Sequence, residues 1–139
     1  MPCLAMDATQ IWANLAVKDL KITAEFYSAL GFKKNGTGDS TDLVSFFFAE
    51  NEFVIHFFEK SKLEHNTGMK TADLSLGNEI MFSISVTTEG AVYQWLENVK
   101  GAGGTIQREP ARDDQGFFWF VFSDPDGHRF NVLLIETGM

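Results

Sequence analysis

The sequence predicts an α+β protein built from two β-α-β-β-β modules. Three observations carry that expectation: an internal repeat, strands that alternate with a period of two, and two stretches with helical spacing. The repeat runs from Ile11 to Leu30 (IWANLAVKDLKITAEFYSAL) and again from Ile80 to Val99 (IMFSISVTTEGAVYQWLENV). At one constant offset Val17 falls on Val86, Phe26 on Trp95, Tyr27 on Leu96 and Leu30 on Val99. Each copy of such a unit has an apolar face it cannot bury alone. The copies are therefore expected to pack against each other and to share any site.

The first module covers about residues 11–58. Ile11 to Val17 alternates, with Ile11, Ala13, Leu15 and Val17 on one face and Trp12, Asn14 and Ala16 on the other. Asp19 stands where a helix N-cap belongs, Ile22, Phe26 and Leu30 form a stripe with Tyr27 beside it, and Gly31 follows as a stop. A helix over about Leu20 to Leu30 is expected. Three strands follow, at Phe32 to about Asn35, Leu43 to Ala49 and Phe53 to Phe58, the last two joined by the turn Glu50-Asn51-Glu52.

Residues 60–78 are polar and lack periodicity, so about 59–79 reads as a connector. The second module, about 80–136, repeats the order. A strand at Ile80 to Val86 leads to a helix from about Glu89 to Val99, with Val92, Trp95, Leu96 and Val99 inward. Gly101, Gly103 and Gly104 are expected to break that helix before a strand at Thr105 to Arg108. Glu109 to Gly116 reads as a polar loop, a candidate rim or gate. Phe117 to Ser123 and Arg129 to Ile135 form a hairpin around Asp124-Pro125-Asp126-Gly127, where proline and glycine suit a tight turn. Asp124 and Asp126 are assigned to that turn's own backbone, and His128 and His65 to solvent-exposed positions.

A chain of 139 residues suits a single domain, which at this size buries roughly 68–70% of its unfolded surface. The fourteen phenylalanines point to an aromatic core or an aromatic cavity. A net charge of −8 argues against nucleic-acid backbone as a partner, because such binding needs clustered lysine and arginine. The single cysteine, Cys3, has no partner for an internal disulfide, and no apolar run reaches the ~20 residues that span a bilayer. With no basic start and apolar stretch of a signal peptide, a cytoplasmic protein is expected.

Two stretches, NLAVKDLKITAEFYSALGF (Asn14 to Phe32) and SDPDGHRFNVLL (Ser123 to Leu134), carry a family resemblance. With the repeated modules, the chain resembles the vicinal oxygen chelate superfamily over about Ile11 to Glu136. That superfamily groups glyoxalase I, extradiol dioxygenases, bleomycin resistance proteins and fosfomycin resistance enzymes. The resemblance implies a curled, cup-shaped mixed sheet with helices outside, and a homodimer. In metal-dependent members, one side chain from the first and fourth strands of each module holds a divalent ion, whose Lewis acidity supports the chemistry.

Carried over residue by residue, the four ligand positions fall on Trp12, His56, Met81 and Asn131, with 12 opposite 81 and 56 opposite 131 on facing walls of one cup. Hard and borderline divalent ions want nitrogen and oxygen donors. Only His56 is a good one, so no cofactor is favoured, a divalent metal at His56 being the alternative. The expected function is small-molecule binding of the bleomycin-resistance type without the usual metal site. The −8 charge would suit a cationic or aromatic ligand. The alternative is a metal-dependent lyase or dioxygenase of the glyoxalase I or extradiol type. The candidate ligand-binding set is Trp12, Asn14, His56, Met81, Ser83, Arg129 and Asn131. His56 is also the candidate catalytic residue, as a general base near neutral pH. Arg129 could hold a carboxylate or phosphate in its planar fork, although an arginine near a strand end more often reaches to solvent, and Asn131 is placed in a polar pocket, with neighbouring backbone as the alternative partner.

Overall fold

A computed structural model of the chain describes residues 6–36 and 40–136. Cys3 lies outside the described residues. In chain order the elements are β1 (Ala13–Val17), α1 (Leu20–Ala29), β2 (Lys33–Lys34), β3 (Leu43–Phe48), β4 (Phe53–Glu59), α2 (Lys60–Thr67), β5 (Met81–Val86), α3 (Glu89–Ala102), β6 (Thr105–Arg112), β7 (Phe118–Ser123) and β8 (Arg129–Leu134). They form two four-stranded mixed sheets with the same topology, β1-β4-β3-β2 and β5-β8-β7-β6. In each sheet the edge strand β1 or β5 pairs in parallel with β4 or β8, and the remaining pairs are antiparallel. The two predicted modules are therefore present, each with its own sheet. No helix of the described residues is long and apolar enough to cross a membrane.

Local chemistry explains most element ends. The Asp19 carboxylate accepts the Lys21 and Ile22 N–H groups and starts α1, and Gly31, at φ 94°, turns the chain out of it. The longer helix α3 begins at Thr88, whose hydroxyl accepts the Ala91 N–H. It continues through Gly101 and ends at Gly103, φ 94°, so Gly101 is not a breaker. The burial of Val92, Leu96 and Val99 along one face outweighs the roughly 1 kcal/mol that an internal glycine costs.

Two further expectations are corrected. The connector is not structureless, since residues 60–67 form α2. This helix fully buries none of its side chains, so it has no stripe to read. Its caps define it: the Glu59 carboxylate accepts the Ser61 and Lys62 N–H groups, and Gly68 at φ 72° closes it. The predicted loop at Glu109 to Gly116 is half strand. β6 runs on to Arg112, with Pro110 tolerated because β6 is an edge strand whose pairing with β7 shifts register twice.

One core joins the modules. Val44, Phe46, Phe48, Ile55 and Phe57 of the first sheet and Phe120, Phe122, Phe130 and Val132 of the second belong to it, with α1 and α3. Tyr27 of α1 stacks on Phe57 at 4.5 Å and also approaches Phe130 at 6.0 Å. Phe48 stacks on Phe130 at 5.9 Å, and Phe53 meets Phe82 at 6.2 Å. The faces that meet are thus the helix-bearing faces of both sheets. Gly104 permits the fit, because a Cβ there would lie 2.6 Å from Val99 Cγ1 and 3.0 Å from Phe26 Cε1.

Candidate functional site

The pleat puts successive side chains on opposite faces, so residues alternating with the core residues occupy the far face of each sheet. In the first module these are Trp12, Asn14 and His56. Asn14 lies beside His56 in the β1–β4 register, and Ser45 beside His56 on the other flank. Trp12, 48% exposed, meets the imidazole edge-on at 5.9 Å, and Phe58 does so at 6.1 Å. His56 Nδ1 is buried and has no partner among the described residues. Burial pushes the His56 pKa below its ordinary value of 6.5, so the ring is neutral at neutral pH.

The second module presents Met81, Ser83, Arg129 and Asn131, with Met81 beside Arg129 and Ser83 beside Asn131. Asn131 is only 7% exposed, and its Oδ1 is likewise without a partner among the described residues. A hollow of about 270 Å³ opens there, lined by Asp113, Phe117, Trp119, Asn131 and Leu133. Trp119 is fixed from two sides: its indole N–H donates to Asp113 Oδ2 at 3.1 Å, and the Arg108 guanidinium sits 4.1 Å from its ring centroid. Sequence reasoning missed this aromatic wall. The alternation of Phe118 to Ser123 could have found it, since Trp119 and Val121 fall on the Asn131 side.

The predicted residues therefore come together as two groups, Trp12-Asn14-His56 and Met81-Ser83-Asn131. Because the helix-bearing faces meet inside the chain, these two far faces look away from the shared core. Within one chain the two groups do not stand on facing walls of one cup. Arg129 and Asn14 also line a larger cavity of about 640 Å³ between the modules, which includes none of the other five candidates.

The β7–β8 turn corrects another expectation. His128 is buried, not solvated, at 8% exposure, and its Nε2–H donates to the Ala16 carbonyl at 2.7 Å. Asp124 accepts the Asp126 and His128 N–H groups at 2.9 Å each, as a turn residue should. It also accepts the buried Tyr27 hydroxyl at 2.7 Å, and Asp126 accepts the Lys18 N–H at 2.9 Å. The turn is thus a clamp that ties the last hairpin to β1 and α1. Burial raises both the Tyr27 and the Asp124 pKa, with the neighbouring Asp124 adding to the first and His128 opposing the second. His65 is exposed as expected.

The donor set does not fit a divalent ion of the family's usual kind. The Trp12 indole has no lone pair to offer, the Met81 thioether suits soft ions, and Asn131 is a weak neutral ligand beside the one good donor, His56. Among the described residues, no three His, Cys, Asp or Glu side chains cluster to hold a metal.

Two βαβββ units with helices on the meeting faces define a fold shared with many solved proteins. The family model of the Glyoxalase/Bleomycin resistance protein/Dioxygenase superfamily matches residues 9–132, and the chain belongs to that family. A hypothetical protein from S. aureus is similar at 33% identity, with 94% of this chain and 96% of that one covered and a TM-score of 0.81. A glyoxalase-related enzyme from Fulvimarina pelagi shows 21% identity, coverage of 92% and 89%, and a TM-score of 0.79. A bleomycin-binding protein, solved with bleomycin, shows 18% identity, coverage of 93% and 100%, and a TM-score of 0.62. No curated protein matches the chain significantly.

Proposed function

We propose that this protein binds a small organic molecule, without the family's metal quartet, in a site that two copies of the chain build together. The Trp12-Asn14-His56 face of one copy would meet the Met81-Ser83-Asn131 face of the other. One observation carries the reading: each far face holds a buried polar atom with no partner, His56 Nδ1 on one and Asn131 Oδ1 on the other, beside aromatic side chains. An unmade buried hydrogen bond costs about 1–3 kcal/mol, which a ligand donor or acceptor would recover. The half-exposed Trp12 and Met81 support burial against a second copy. That a protein of this fold is solved with bleomycin bound supports an organic ligand as the class.

The test is to purify the protein without added metal, measure its metal content, and identify by native mass spectrometry any small molecule that co-purifies. Binding that survives a chelator and returns the ligand unchanged is the expected result. A stoichiometric, tightly held metal in the fresh protein would overturn the reading. It would favour the alternative, a lyase or dioxygenase, for which a neutral, unpartnered His56 is the specific support. On that alternative His56→Ala abolishes turnover and leaves the fold intact.

A further inference from the structure

The 640 Å³ cavity lies along β1 between the modules, walled by α2, residues 71–80 and the β7–β8 turn. Its volume falls within the ~300–1,000 Å³ usual for small-molecule sites. Its charged groups are unequally engaged. Of its acidic residues, Asp73 accepts the Ser75 N–H and hydroxyl, Asp124 accepts Tyr27, Asp126 and His128, and Asp126 accepts the Lys18 N–H. Glu79 is exposed.

The cations on the same wall are Lys18, Lys60 and Arg129. None forms an ion pair with a described residue. Arg129 Nε is buried without an acceptor. A guanidinium sealed from water on one side and unpartnered is costly, and a planar two-oxygen anion is the group whose geometry matches its fork. Lys60 and Lys18 lower the Asp73 pKa through space, after the larger effect of the Ser75 hydrogen bonds, which places both ammonium groups near that wall.

We propose that this cavity is a second binding site, for a small organic anion whose carboxylate or phosphate group is held by Arg129. Lys60 and Lys18 add charge at its mouth, and the apolar side chains Leu63, Leu74 and Phe82 line the remainder for the ligand's carbon skeleton. The site shares Asn14 with the proposed ligand face but uses neither His56 nor Asn131, so anion binding read at Arg129 can fail or succeed whatever the outcome of the metal and ligand test above.

The experiment follows, by NMR during titration with inorganic phosphate or malonate, the Arg129 Nε–H resonance in the parent and the backbone amide resonances of the cavity residues 71–75 and 126–128 in the parent and every variant, using chloride at matched ionic strength as the control. Phosphate or malonate should shift these resonances saturably and chloride should not. Arg129→Gln should weaken binding at least about tenfold, and Arg129→Lys should restore only part of it, because a lysine keeps the charge and loses the fork. Lys60→Gln should weaken binding about threefold, and Lys21→Gln, on the exposed side of α1, should bind as the parent does. Arg129→Gln is checked by its unfolding midpoint, and Lys60→Gln, on the surface of α2, gives an independent reading if that variant is damaged. Shifts no larger with phosphate or malonate than with chloride would overturn the proposal. So would an Arg129→Gln protein that folds normally and binds both anions with parental affinity.

Discussion

Tyr27 is buried and lies 97 residues in sequence from the buried Asp124, to which it is hydrogen-bonded, and Asp124 in turn accepts the N–H of the buried His128. The Tyr27 hydroxyl has one acceptor, Asp124, whose carboxylate is also held by two backbone donors. Tyr27→Phe should therefore destabilise the fold by about 1–3 kcal/mol without unfolding it, as read from the urea midpoint. His56 should behave differently because it is poised rather than bonded. Its folded pKa is lowered by burial, so above 6.5 it is neutral in both states and adds no pH dependence. Below that value the unfolded chain takes the proton first, and the folded state loses stability until its own lower pKa is passed. Between about pH 7 and pH 5 the parent should lose more stability than His56→Gln, and equal losses would exclude this coupling.

At the scale of elements, close packing and caps dominate. Gly104→Ala would drive a methyl into Val99 and Phe26, both buried, and should cost about 1–3 kcal/mol as α1 and α3 are pushed apart. Glu59→Ala removes the α2 cap and should cost about 0.5–2 kcal/mol, with loss of helical signal confined to residues 60–67 by hydrogen exchange. The same contrast explains what a reader of the sequence can see. α1 and α3 are legible because burial imposes a stripe of 3.6-residue spacing, and β3, β4, β7 and β8 are legible because one face is core. α2 is not, since its residues answer to two caps and not to a core. β6 beyond Arg108 is hidden by Pro110, which an edge strand tolerates and a central strand does not. Alternation assigns His56 and Asn131 to the far faces correctly. It carries no information on how two sheets face each other, so the outward turn of both groups could not be read from it. His128 was unreadable for a similar reason, its partner at Ala16 being brought close only when the modules dock.

At the scale of the molecule, docking through helix-bearing faces turns the Trp12-Asn14-His56 and Met81-Ser83-Asn131 groups outward on each chain. If two copies complete the site, the protein should elute at twice its 15.6 kDa chain mass. A mixture of His56→Ala and Asn131→Ala chains, each unable to bind the native ligand, should then recover binding, since a mixed pair keeps one site with both residues intact. Recovery requires exchange of subunits, and a chain that elutes as a monomer would refute the shared site. The turn at Asp124 to His128 has a consequence in time as well as in space. Its contacts with Lys18, Tyr27 and Ala16 span 108, 97 and 112 residues, so β1 and α1 leave the ribosome long before the side chains that secure them. A nascent chain halted before Asp124 carries a first module with the Tyr27 hydroxyl unanswered and Phe48 without its partner Phe130. During synthesis the first module thus stays incompletely covered until the β7–β8 turn and β8 emerge, and their docking is the step that closes it.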